Sequence, residues 1–201
     1  MRKEKDSMGS MNVPDDAYYG SQTQRAVENF PISGIPISES MIKALGIIKR
    51  SAAIVNYQLD ILDEERKNGI VKAADEVIQG KFNNQFPIDI FQTGSGTSSN
   101  MNCNEIIANR ANEFMGGKIG SRDPIHPNNH VNMGQSSNDV IPTAIHVAAS
   151  TEIHNSLIPA LQNLADSLEI KTQEFSGIIK IGRTHLQDAT PITLGQEFSG
   201  Y

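Results

Sequence analysis

From Ser38 onward, apolar residues recur at three- and four-residue intervals over long stretches of the chain. Met41, Leu45, Ile48, Ala52, Val55 and Leu59 fall on one face of a helix that begins at Ser38 and runs for about six turns. Asp63 is placed to cap a second helix, with Ile70, Val71, Ala74, Val77 and Ile78 turned inward and Gly80 as its stop. A third runs from about Asn100 to Met115 and ends at Gly116 and Gly117. The longest starts after Pro142 and is marked by Ile145, Ala149, Ile153, Leu157, Leu161, Leu164 and Leu168, with Pro159 predicting a kink or a locally bent turn. A helix of about 30 residues is roughly 45 Å long. Its apolar face needs neighbours, which points to a bundle formed between subunits.

The remaining segments carry no such period. Residues 1–38 are rich in Gly, Pro, Ser and Asn and read as an irregular arm with turns, with room for a short strand or helix. Residues 118–138 read as polar loop, 177–182 as a short extended piece, and Pro191 as the opening of another helix. There is no internal repeat and little sign of a sheet core. The expected fold is mainly α: an N-terminal helical domain over 1–138, then the start of a long-helix bundle over 139–201.

Composition narrows the partners. A net charge of −6 with scattered basic residues argues against a nucleic-acid or anionic-membrane surface, leaving small molecules. The lone Cys103 excludes an intrachain disulfide, fits a reducing compartment and reads as a buried thiol. The first residues hold no apolar signal core, and no run reaches the roughly 18 apolar residues of a membrane span, so the expected location is cytoplasmic.

Three polar stretches interrupt the helices. Gly94-Ser95-Gly96-Thr97-Ser98-Ser99-Asn100 precedes a helix and fits either an anion site, built from backbone N–H groups and hydroxyls, or a plain cap and turn. His126-Pro127-Asn128-Asn129-His130 runs on to Ser136-Ser137-Asn138. Pro127 and the want of nearby ligands disfavour a metal, while the later hydroxyls and amide suit either carboxylate binding or helix capping. In Gly182-Arg183-Thr184-His185-Leu186-Gln187-Asp188, His185 is either a proton-transfer group or a surface histidine. His146 and His154, within the long helix, read as surface or packing residues.

Together QTGSGTSSNMNCNE, HPNNHVNMGQSSNDVIPTA and KIGRTHLQDATPITLGQEFSG resemble the corresponding segments of class II fumarases, and EKDSMGSMNVPDDAYYGSQTQRAVENFPISG resembles the start of that family. Within the fumarase/aspartase superfamily the aspartases are similar in the first two segments but usually carry Gln at the position of His185. The resemblance implies a cofactor-free lyase that hydrates fumarate reversibly to malate in the citric acid cycle. His185 is the implied acid/base. Thr97, Ser136, Ser137, Asn138 and Thr184 are implied substrate contacts, with Ser95 and Gly96 beside them, and His126, Pro127, Asn128 and Asn129 form a secondary dicarboxylate site. Relatives often read HPND there, so Asn129 departs from the pattern. The resemblance also implies a homotetramer whose active sites are shared between subunits. Its carbanion-forming Ser, in a GSSxMPxKxN loop, lies beyond Tyr201, so the chain reads as the N-terminal portion of such an enzyme. Two other readings are an aspartate ammonia-lyase and a non-catalytic relative.

Overall fold

The computed structural model describes residues 1–201 and resolves into two compact units, Met1–Ala149 and Ser150–Tyr201. In the first unit the expected irregular arm is an antiparallel hairpin of β1 (Arg2–Asp6) and β2 (Gly9–Val13), followed by α1 (Ser21–Asn29). Arg2 pins the segment that follows the hairpin by donating to the carbonyls of Pro14, Ala17 and Tyr19 at 2.8, 2.7 and 2.7 Å, while pairing with Glu4 at 2.7 Å. That long-range anchoring leaves no periodic trace in the sequence.

Local capping chemistry sets the next two helices. α2 (Glu39–Gln58) starts where Ser38 accepts from the Met41 N–H, and α3 (Glu64–Ile78) where Asp63 accepts from the Arg66 N–H at 2.9 Å. Gly80, at φ +79°, takes the left-handed turn that stops α3. The buried stripe of α2 differs from the expected one. Ile42, Leu45, Lys49, Ala53 and Asn56 face inward, whereas Val55 and Leu59 are exposed. Counting apolar residues missed the true face because two of its positions are polar.

α4 (Thr97–Phe114) runs through the middle of this unit and is buried on nearly every side, although five of its buried residues are asparagines. Each donates a side-chain N–H. Asn102 bonds the Gln85 carbonyl, Asn109 the Tyr18 carbonyl and Asn112 the Ile125 carbonyl, at 3.0, 2.8 and 2.9 Å, so the helix anchors the loops wrapped around it. Around it Leu45, Ile70, Val77, Ile106, Ile107, Ile125 and Val131 form the apolar core.

Asp89 closes the loop ahead of α2. It accepts from the backbone of Ser33, Gly34 and Phe91 at 2.5, 2.7 and 2.8 Å and from the Ser33 hydroxyl at 2.9 Å. Loss of water alone raises its pKa, but the N–H groups of Phe91, Ser33 and Gly34 together outweigh it and hold the carboxyl at about 2 against an ordinary 3.8. A depressed folded value means this stabilisation is complete above about pH 4 and lost as pH falls towards 2. Asp89→Asn should therefore lower stability at neutral pH and flatten the acid limb between those pH values, as followed by circular dichroism. An unchanged limb would assign acid sensitivity to other carboxylates.

α5 (Ser137–Glu152) begins in the first unit, before Pro142 rather than after it. Pro142 sits in its second turn, where only the Asn138 carbonyl forfeits a helical N–H partner. In the second unit a π-helical turn (Ile153–Leu157) precedes α6 (Ile158–Glu174), so Pro159 falls in the first turn of a new helical stretch. This π-turn stands just ahead of the expected position of the kink. Ile153, Leu157, Leu161 and Leu164 are 43–55% exposed, an apolar face uncovered within the unit.

The extended segment expected at 177–182 is β3 (Ile179–Thr184), paired antiparallel with β4 (Gln187–Thr193). Pro191 does not open a helix: it lies in β4 opposite Ile181, and α7 (Leu194–Gly200) starts only after Thr193. There Thr193 and Gln196 form a capping box at 3.1 and 2.8 Å, a stronger start signal than the proline. Phe175 and Phe198 pack edge-on at 5.2 Å to fix α7 on α6. No helix is long and apolar enough to cross a membrane.

Candidate functional site

The loop part of the first polar stretch ends at Gly96, whose φ of +66° is a left-handed conformation that favours glycine. A Cβ there would also lie 3.0 Å from Ile141 of α5, so the glycine lets the starts of α4 and α5 approach each other. The cap of α4 comes from upstream. Gln92 accepts from the Ser99 N–H and donates to its hydroxyl, both at 2.9 Å, and Thr93 accepts from the Ser98 N–H at 3.2 Å. Capping by Gln92 and Thr93 is why the helix starts at Thr97, three residues before the expected Asn100. It also frees the hydroxyls of Ser95 and Thr97, which bond each other at 2.8 Å at the open end.

At the start of α5, the Ser136 carbonyl accepts from Val140 N–H at 2.9 Å and its hydroxyl from Asn138 N–H at 3.4 Å, a capping role. Ser136 and Asn138 are exposed and Ser137 is half-buried. The Ser137 Oγ accepts from Asn100 Nδ2 at 2.9 Å. The first two stretches thus meet, bringing two helix N-termini and the groups of Thr97, Ser137 and Asn138 to one end of the unit. Such an end favours an anion, through unsatisfied N–H groups and the helix dipoles.

His126 and His130 lie in and beside a π-helical turn (Pro127–Val131). His126 Nδ1 accepts from the N–H groups of Asn128 and Asn129 at 3.1 and 3.3 Å, and His130 Nδ1 from His126 N–H at 2.9 Å. Burial, then nearby Arg122 and Arg66 respectively, push both imidazoles below their ordinary pKa. With Nδ1 accepting in both rings, the ring N–H of each lies on Nε2, and Asn128 and Asn129 stay exposed. No group of His, Cys, Asp and Glu is placed to hold a metal ion.

In the second unit the third stretch is a two-residue hairpin turn. Thr184 pairs with Gln187, and His185 and Leu186 occupy the tip at φ +50° and +61°. Both central residues having positive φ is the type I′ pattern, normally filled by Asn and Gly. His185 and Leu186 adopt it without that help, a strain of roughly 1–3 kcal/mol each. The imidazole of His185 is exposed beside the Thr184 hydroxyl's strand end. Outside these stretches His146 is exposed, His154 Nδ1 bonds the Ser150 carbonyl at 2.8 Å, and Cys103 is fully buried with its thiol pushed up to about 12. A thiol so protonated is not a nucleophile at neutral pH.

Reading the sequence missed Lys49, Asn100, Asn104 and Glu105, all of which are buried. Lys49 left one signal: it stands four residues from both Leu45 and Ala53, in the middle of a core-facing stripe.

The family described as Lyase matches residues 9–201. The chain is 60% identical to "Fumarate hydratase class II" of Halobacterium salinarum over 200 residues, spanning all of this chain and 42% of that protein. It is 56% identical to "Fumarate hydratase, mitochondrial" of Homo sapiens over 202 residues, spanning all of this chain and 39% of that one. Among solved structures, a fumarate lyase:delta crystallin from Brucella melitensis superposes with a TM-score of 0.95 at 50% identity, covering 100% of this chain and 45% of that one. The chain thus spans less than half the length of these relatives.

Proposed function

Because the chain belongs to the lyase family, we propose that it is the N-terminal part of a fumarate hydratase, a hydro-lyase converting fumarate reversibly to (S)-malate in the citric acid cycle. The observation that carries this reading is the 2.9 Å bond from Asn100 to Ser137, which joins the starts of α4 and α5 into one anion-accepting end. Thr97, Ser136, Ser137 and Asn138 bind the substrate there, with Ser95 and Gly96 shaping the loop.

The chemistry accounts for such donors. Dehydration of malate removes a proton from the carbon next to one carboxylate, and the electron pair left behind spreads onto that carboxylate's oxygens. Donors already aimed at those oxygens lower the barrier. The hydroxyl on the neighbouring carbon then leaves and takes a proton from His185, with Thr184 beside it as a further contact, in an active site shared between subunits. In the hydration direction His185 takes that proton from the attacking water. The carbanion-forming base, a Ser, belongs to the part of the enzyme not represented in these residues.

In the same reading residues 1–138 form the N-terminal lyase domain and 139–201 open the central bundle. His126, Pro127, Asn128 and Asn129 make a secondary dicarboxylate site, with the exposed Asn128 and Asn129 as its outward groups. The exposed face of Ile153, Leu157, Leu161 and Leu164 is covered in a homotetramer. The enzyme works in the cytoplasm.

The assembled enzyme containing this chain should consume fumarate, seen as loss of its ultraviolet absorbance, and form no aspartate from fumarate and ammonium. Ammonium-dependent aspartate formation at a comparable rate would replace the hydratase by an ammonia-lyase.

A further inference from the structure

Lys49 is fully buried in α2, yet no carboxylate pairs with it. Its ammonium donates to two neutral amides, Asn132 Oδ1 at 3.0 Å and Gln135 Oε1 at 2.9 Å. Burial pushes its pKa down to about 8, with the nearby Cys103 sulfur opposing the shift, so the cation persists at neutral pH. A buried cation with only neutral partners is costly, and a methionine would fill much the same space without that cost. Packing therefore gives no reason for a lysine here.

The hydrogen-bond directions give one. An ammonium can only donate, so Asn132 must turn its oxygen towards Lys49. That oxygen also receives Asn100 Nδ2 and Asn104 Nδ2, each at 3.2 Å, which fixes both of those amides with nitrogen inward. The second N–H of Asn100 then reaches Ser137 Oγ at 2.9 Å. The oxygens of Asn100 and Asn104 are left buried without partners. Two amides thus keep orientations that waste their acceptors, as expected when a cation dictates the polarity of the network. At the far end Ser137 receives a proton on its oxygen and keeps its own O–H to give away. With Asn100 turned over, the serine would donate inward and offer only lone pairs to an arriving carboxylate.

We propose that Lys49 is a positioning residue for anion recognition, which acts through Asn132 and Asn100 to hold the Ser137 hydroxyl as a donor towards a substrate carboxylate. This rests on the reading of Ser137 as a substrate contact.

Lys49→Met tests it. In fumarate hydration by the assembled enzyme, KM should rise about tenfold, as for loss of one aligned donor to a charged group. The melting temperature should hold or increase, since an uncompensated buried charge has been removed. A merely structural lysine predicts the reverse: a lower melting temperature or failure to fold, with unchanged KM in whatever folds, and that result overturns the proposal. Lys49→Met combined with Ser137→Ala should raise KM no further than Ser137→Ala alone, whereas additive effects would count against it. A third readout needs no activity. In the assembled enzyme the Asn100 side-chain amide protons should exchange slowly by nuclear magnetic resonance, and at least about tenfold faster in Lys49→Met. Unchanged exchange overturns the assignment whatever the substrate. An enzyme inert towards fumarate that still shows the Asn100 response removes the hydratase reading and leaves the role of Lys49 standing.

Discussion

His185→Asn is expected to lower fumarate turnover by about 10²–10⁴-fold, the usual contribution of a general acid or base, with no loss of folded protein. The choice of asparagine follows from the backbone. At φ +50° His185 needs a residue that tolerates the left-handed region, and asparagine does so better than any other non-glycine side chain. The substitution therefore keeps the hairpin tip and removes only the imidazole. Because the ring is exposed, little packing is lost with it. Stopped-flow or steady-state hydration assays read the rate, and circular dichroism reads the fold. Near-normal turnover would leave His185 as a turn residue, and unfolding would mean that the tip depends on imidazole contacts.

Glu105→Ala should remove roughly 3–5 kcal/mol of stability from the first unit, since several buried donors lose their acceptor at about 1–3 kcal/mol each. α1 starts at Gly20, which offers no side chain to cap it. Glu105 reaches across from α4 instead. Its Oε2 accepts from the Gly20 and Thr23 N–H groups at 2.9 and 3.0 Å and from the Thr23 hydroxyl at 2.7 Å, and its Oε1 from Gln22 N–H at 3.0 Å. Alanine would leave three backbone donors and a buried hydroxyl without an acceptor. Urea denaturation should show a marked drop in midpoint. A loss of less than about 1 kcal/mol would mean that water replaces the carboxylate.

These residues also mark where the sequence is readable. Helix starts at Ser38 and Asp63 and stops at Gly80 and Gly116 were legible because each is made by neighbours within a few positions. The start of α4 was not, since Gln92 and Thr93 cap it from upstream in a loop of unremarkable composition. The cap of α1 comes from 85 residues away and could not be read at all. The same division holds at the site. The three polar stretches stand out as patterns, and a resemblance gives them roles. That Asn100 joins the first to the second depends on tertiary approach across 37 residues. The inward face of α2 was misread for a related reason: Lys49 and Asn56 are core positions whose partners, Asn132, Gln135 and Met133, lie in a distant loop.

The asparagine-filled interior of α4 has a bearing on how the first unit comes apart. Asparagine is a poor helix former, and Thr97–Phe114 holds five of them in buried positions, so a peptide of this stretch alone would be largely unstructured in water. Its helicity is conferred by the loops whose carbonyls those side chains bind. Those loops are in turn tied to the helix by the same bonds. Neither can melt ahead of the other, so the unit has no soft central element from which to fray. Its innermost amides should open to solvent only when everything around them does, in a single cooperative event.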